Sequence, residues 1–191
     1  MFQESMEESF MKRLLVSSAA LLMATSVIAA AELESGLQVG DFATAFNVQD
    51  ITGPNKGKSL CYRWLYGKRP VVAIFAREIT DNLTSLVKQI DKKVAENKDQ
   101  KMASFVVLLT DDPDELELKL KDLAIKHKIK NIPLTIFDGI AGPPKYKIAE
   151  GADVTVLMWR GQTVKVNHAL AKLDKKSIKK ILSDLDKILD E

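Results

Sequence analysis

The chain has 191 residues, 46% of them hydrophobic and 28% charged, with 28 basic side chains against 26 acidic ones. This composition suits one domain with a sizeable apolar core and excludes extensive disorder. A net charge of +2 with bases and acids interleaved excludes a dedicated nucleic-acid surface, which needs a concentrated basic face. Cys61 is the only cysteine, which excludes an intramolecular disulfide and leaves an intermolecular one open.

Residues 11–31 carry a targeting pattern. Met11-Lys12-Arg13 is a basic start, Leu14 to Ala30 is apolar and small, and Ala29-Ala30-Ala31 offers an A-x-A cleavage site before Glu32. The segment reads as a secretory signal peptide. The alternative is an uncleaved anchor, because the run approaches the ~18 residues of a membrane span; Ser17, Ser18, Thr25 and Ser26 weaken it. Met1 to Phe10 is an acidic leader that does not belong before a basic start, so translation is expected to begin at Met11. The expected organisation is residues 1–31 as leader and signal peptide and 32–191 as one exported domain, periplasmic or secreted, meeting a membrane only if the signal stays attached. Removing residues 1–31 takes the 28 bases and 26 acids to 26 and 23, a net +3.

Glu32 to Asn47 is loop-like. Phe46 to Asp50 and Lys58 to Arg63 read as two strands of a hairpin across the turn formers Gly53, Pro54, Asn55 and Gly57. Val71 to Ala76 is a continuous β-branched run that suits a central strand covered on both faces. Leu83, Leu86, Val87, Ile90 and Val94 then fall at helical spacing over residues 82–97, with Thr80 or Asp81 as N-cap. Ala103 to Thr110 is a second buried strand. Asp112-Pro113-Asp114-Glu115 opens another helix, with Leu116, Leu120, Leu123 and Ala124 as its inner stripe. Ile132 to Phe137 is a third strand, and residues 138–151 form a loop with one helical turn near Tyr146. Val154 to Trp159, the turn Arg160-Gly161-Gln162 and Thr163 to His168 make a hairpin; a helix over 175–189 capped by Asp174 ends the chain.

Strands separated by helices imply parallel neighbours through right-handed crossovers, while the last hairpin must be antiparallel. The expected fold is α/β, with a mixed central sheet of about five strands, helices on both faces and an added N-terminal hairpin. With Val39-Gly40-Asp41-Phe42, Gly57-Lys58-Ser59-Leu60 and Gly67-Lys68-Arg69-Pro70 ahead of Val71 to Ala76, and the hairpin and helix from Val154 onward, this order from about Gly36 to Leu189 resembles the thioredoxin superfamily, in its peroxiredoxin-like and cytochrome-maturation-like branch.

The resemblance implies thiol chemistry that the residues do not supply. Laid on the reductase pattern, the two cysteine positions fall on Thr80 and Leu83; laid on the peroxidase pattern, the cysteine falls near Leu83 or Thr84 and its preceding proline is Arg77. The superfamily's cis-proline position falls either on Pro133 or, preferred because the terminal hairpin fixes the register, on Asp153, where a trans bond is expected. Cys61 is a possible displaced nucleophile. It sits in the expected strand before the turn with no histidine near it in sequence, so a structural cysteine is the simpler reading. Asp111, Asp112, Asp114 and Glu115 lack the spacing of a calcium loop and read as helix caps. Two lone histidines, His127 near a helix end and His168 sharing a strand face with Val164 and Val166, do not make a zinc site. No metal or cofactor is implied, and no catalytic residue. Arg77, Glu78, Thr80, Asp81 and Asn82, with Asp153, remain as a degenerate active-site corner that offers a helix N-terminus to an unidentified protein or peptide partner. The expected function is that of a redox-inactive binding or structural module, with a Cys61-dependent oxidoreductase or peroxidase as the alternative.

Overall fold

A computed structural model describes residues 33–189; the leader and signal readings lie outside the described residues. Seven strands form one sheet in the order β2-β1-β5-β4-β3-β6-β7. They are β1 (Val48–Asp50), β2 (Ser59–Leu60), β3 (Val71–Ala76), β4 (Ala103–Thr110), β5 (Leu134–Asp138), β6 (Val154–Arg160) and β7 (Thr163–Leu170). β3, β4 and β5 run parallel, whereas β6 is antiparallel to both β3 and β7. The N-terminal hairpin is not an appendage: β1 pairs antiparallel with β5, Gln49 opposite Ile136, and so extends the central sheet.

The six residues of β3 are each no more than 1% exposed, because its side chains feed two cores. Val72, Ile74 and Ala76 pack beneath α2 (Asp81–Glu96), α3 (Pro113–His127) and α4 (Lys175–Ser183). Val71, Ala73 and Phe75 face the other way, toward Leu37, Ala43, Tyr146 and Tyr62 of the short helix α1 (Tyr62–Tyr66). Both faces are therefore covered, but the longer helices all lie on one of them.

Three local expectations are corrected. The expected strand Lys58 to Arg63 stops at Leu60, and Tyr62 to Tyr66 is helical. Helical i, i+4 spacing brings the Tyr62 and Tyr66 rings together at 5.2 Å and both against Phe105, whereas in a strand the two residues would share a face but lie about 13 Å apart. The expected inner stripe of α3 is only partly submerged: Leu120 is fully buried, while Leu116, Leu123 and Ala124 are half-buried. Finally, the terminal helix breaks at Asp184 into α4 and α5 (Asp186–Leu189), since Asp184 is drawn toward His168 and Lys187 and Arg160 takes the carbonyls of Ile188 and Leu189.

The hairpin of β6 and β7 turns at Gly161 and Gln162, both at positive φ (61° and 74°) as a two-residue type I′ turn requires. Gln162 is tolerated there because its side chain accepts from Arg63 at 2.9 Å. Trp159 pairs with Val164 but Met158 with Val166, so Lys165 is an extra residue in β7. This bulge corrects the expected face: His168 and Val166 lie on the helix side, while Val164 joins the opposite core.

Candidate functional site

Strand β3 ends at Ala76, and the chain turns through Arg77, Glu78, Ile79 and Thr80 into α2. Thr80 takes extended backbone (φ −99°, ψ 164°) and its hydroxyl accepts the Leu83 N–H at 3.1 Å, so it is the N-cap. Asp81 occupies the first turn, where a carboxylate opposes the positive end of the helix dipole. Of the two residues at the reductase cysteine positions, Thr80 is therefore held as a cap and Leu83 is a core residue 1% exposed. Neither is placed to serve as a mobile nucleophile.

The two candidates for the proline position lie at different places in the sheet. Ala76 pairs with Val154, which puts Asp153 directly beyond the end of β3 and beside the turn. Pro133 instead precedes β5, on the far side of β4. Asp153 is exposed, and no peptide bond among the described residues is cis. The Arg77 guanidinium donates to the Ala152 carbonyl at 2.7 Å and so ties the start of β6 to the end of β3. Asn82 donates to the Leu173 carbonyl at 2.8 Å, bringing the segment between β7 and α4 to the same corner.

These contacts enclose a cavity of about 340 Å³ in which Arg77, Glu78, Thr80, Asn82 and Asp153 meet Lys172 and Leu173. On its other side the turn opens into a cleft of about 650 Å³ along α3, where Glu78, Thr80 and Asp81 face Asp112, Glu115 and Lys119. All six corner residues named from sequence thus fall around one turn. Lys172 and Leu173 were not foreseen; the signal for them is topological, because the chain leaving β7 must pass the start of β6 to reach α4. In the smaller cavity two cations, Arg77 and Lys172, stand against two acids, Glu78 and Asp153.

Cys61 is elsewhere. It is the residue before α1, half-buried and with no capping hydrogen bond, and α1 packs on the sheet face opposite α2. The expected strand position is corrected to a loop-to-helix junction. Arg63, two residues on, is committed to the Ala43 carbonyl at 2.6 Å and to Gln162. Nearby Tyr146 has its phenol pushed well above its ordinary range, chiefly by burial.

No family model matches the sequence, and no curated protein matches it. Solved structures do. A candidate protein disulfide isomerase from Bacteroides thetaiotaomicron is 16% identical with a TM-score of 0.63, over 83% of this chain and 96% of that one. A 2-Cys peroxiredoxin from Plasmodium vivax is 18% identical with a TM-score of 0.58, over 80% and 96%. The thioredoxin domain of a thiol-disulfide oxidoreductase from Bacteroides vulgatus is 12% identical with a TM-score of 0.55, over 78% and 99%. The chain has the thioredoxin fold. Its corner between β3 and α2 carries no sulfur, and its one cysteine lies across the sheet from the helix whose N-terminus would activate a thiol in this fold.

Proposed function

We propose that this is an exported thioredoxin-fold protein that acts by binding, through the corner between β3 and α2, and not by thiol exchange. The observation that carries the reading is the commitment of the two reductase positions: Thr80 is spent as a cap and Leu83 is in the core. The cavity beside them balances two cations with two acids, which suits the alternating donors, acceptors and charges of a peptide segment better than an isolated anion. Export rests on the basic, apolar and A-x-A pattern of residues 11–31.

The second reading, thiol chemistry at Cys61, is favoured by one observation, the partial exposure of an unpaired thiol. Insulin-reduction and peroxide-consumption assays on the wild type and Cys61→Ser separate the two. Neither protein is expected to turn over substrate above the blank; turnover that vanishes with the thiol would transfer the function to Cys61. For the binding reading, affinity capture from the exported fraction is compared between wild type and Thr80→Ala/Asn82→Ala. Identical captured proteins with both baits would remove the corner as the docking site.

A further inference from the structure

We infer that the outer side of α3, with the turn that follows it, is a docking groove for an acidic amphipathic helix of a partner protein. Leu116, Leu120 and Leu123 already satisfy the helix's inner face. Leu118 and Ile125 are additional apolar side chains pointing away from the sheet, 65% and 78% exposed, and Ile125 is the most exposed large hydrophobic among the described residues. They are seven residues apart, two turns or about 10.5 Å along the axis. Beside Ile125, Ala124 and Ile129 contribute to the floor of an open groove of about 400 Å³.

The rim gives the partner its charge. Lys56, Lys128 and Lys130 line the groove and no carboxylate does; Lys121, also at the rim, is engaged by Glu117 one turn back. The backbone at two of these lysines is held before anything binds, while their side chains remain exposed. Lys128 closes α3 in the left-handed conformation (φ 55°, ψ 41°), a position that glycine fills more cheaply. The backbone N–H of Lys130 is held at 3.0 Å by the buried carboxylate of Asp91 on α2. An apolar floor under a cationic rim is complementary to an apolar stripe flanked by acids. A small amphiphile is disfavoured because such ligands need a cavity that buries most of their surface, whereas this groove is open; Leu118 lies outside the groove's lining, two turns from Ile125 on the same side of α3, where a docked helix that fills the groove reaches a second apolar contact.

The groove shares no residue with the cavity beside Asp153, so it stands or falls separately from the corner. The probe is a fluorescein-labelled synthetic helix of about 15–20 residues, long enough to hold helical structure, with leucine at i, i+3, i+7 and i+10 and glutamate or alanine elsewhere. Anisotropy is expected to rise saturably with the full protein. Ile125→Ser should weaken the interaction about tenfold, and Lys128→Glu/Lys130→Glu should weaken it roughly tenfold and remove its salt dependence. These side chains are exposed, and unchanged circular dichroism confirms that the variants fold. Thr80→Ala/Asn82→Ala should bind the probe like wild type. Non-saturable binding, indifference to Ile125→Ser, or equal binding of a control peptide with serine for leucine would overturn the inference. Phosphatidylglycerol vesicles that bind through the same residues in place of the peptide would overturn it as well, by assigning the face to a membrane.

Discussion

Replacing Asp91 by alanine removes a carboxylate that the chain after α3 is built around. One oxygen accepts the backbone N–H groups of Lys130, Asn131 and Ile132 at 3.0, 2.7 and 3.2 Å, and the other accepts the Asn131 side-chain amide at 2.9 Å. Asp91 is only 8% exposed, so alanine leaves donors that water reaches only if the segment loosens. Hydrogen bonds to a charged group contribute about 1.5–3 kcal/mol each, but three of these share one oxygen and the loop can relax, so the total lies well below their sum. The expected loss is roughly 3–4 kcal/mol, from a domain whose whole stability is of order 5–15 kcal/mol. Asp91→Asn keeps one carbonyl oxygen for the backbone donors but loses the charge and replaces the oxygen that accepts the Asn131 amide with an NH2 donor, which should cost about 1–2 kcal/mol. Urea unfolding followed by circular dichroism measures both, and hydrogen exchange at residues 130–132 should accelerate most in the alanine variant. An alanine variant within 1 kcal/mol of wild type, or an asparagine variant as damaged as the alanine one, would refute the cradle as a source of stability.

Three further outcomes follow from other parts of the fold. His168 is held below its ordinary 6.5, chiefly because burial penalises the imidazolium more than Asp184, at 3.0 Å, favours it, with Lys180 and Lys187 opposing protonation too. The unfolded chain then binds the extra proton more readily, so this contribution is complete above pH 6.5 and stability falls as pH drops below that value; His168→Gln should flatten the urea midpoint over that range, and an unaltered slope would exclude the histidine. Thr80→Ala should lower stability by roughly 1 kcal/mol while Thr80→Ser restores most of it, and equal stability of all three proteins in thermal melts would deny the cap. Trp64 is 70% exposed and Trp159 fully buried, so acrylamide should quench the wild-type emission strongly and the Trp64→Phe emission weakly; similar quenching in both would misplace one of the tryptophans.

Where a segment's periodicity and its burial have the same cause, the sequence could be read directly. Val71 to Ala76 is apolar at every position because β3 feeds a core on each face, and Thr80, Asp112 and Asp174 sit one residue before helical periodicity begins because each side chain accepts an N–H of the first turn. The corner was legible for the same reason, being fixed by the end of β3 and the start of α2. What escaped reading depends on partners distant in sequence. Tyr62 to Tyr66 becomes helical because Phe105 and Asp50 receive its two tyrosines and one phenol, respectively. The bulge at Lys165 changes which face His168 shares, and nothing in alternating Thr163 to His168 marks an extra residue. Gly53 looked like a generic turn former, yet a Cβ there would lie 2.7 Å from Asp50, Pro133 and Tyr62, so the turn is also a packing contact.

In the thiol enzymes of this fold the helix N-terminus lowers the cost of a thiolate, and its free N–H groups are the means. Here one of those N–H groups and the dipole already have partners from the chain itself: the Thr80 hydroxyl takes the Leu83 N–H, and the Asp81 carboxylate stands in the first turn. Installing cysteines at 80 and 83 would therefore not recreate the active site. The first would remove a cap and place its sulfur beside a carboxylate, which raises a thiol's pKa, and the second would exchange a leucine packed among Ile74, Ala76 and Leu86 for a smaller group with no route to solvent. The corner's local physics is thus that of a stable helix start, with the Arg77 and Asn82 side chains tied to the Ala152 and Leu173 carbonyls and Glu78 and Asp153 lining the cavity beside them.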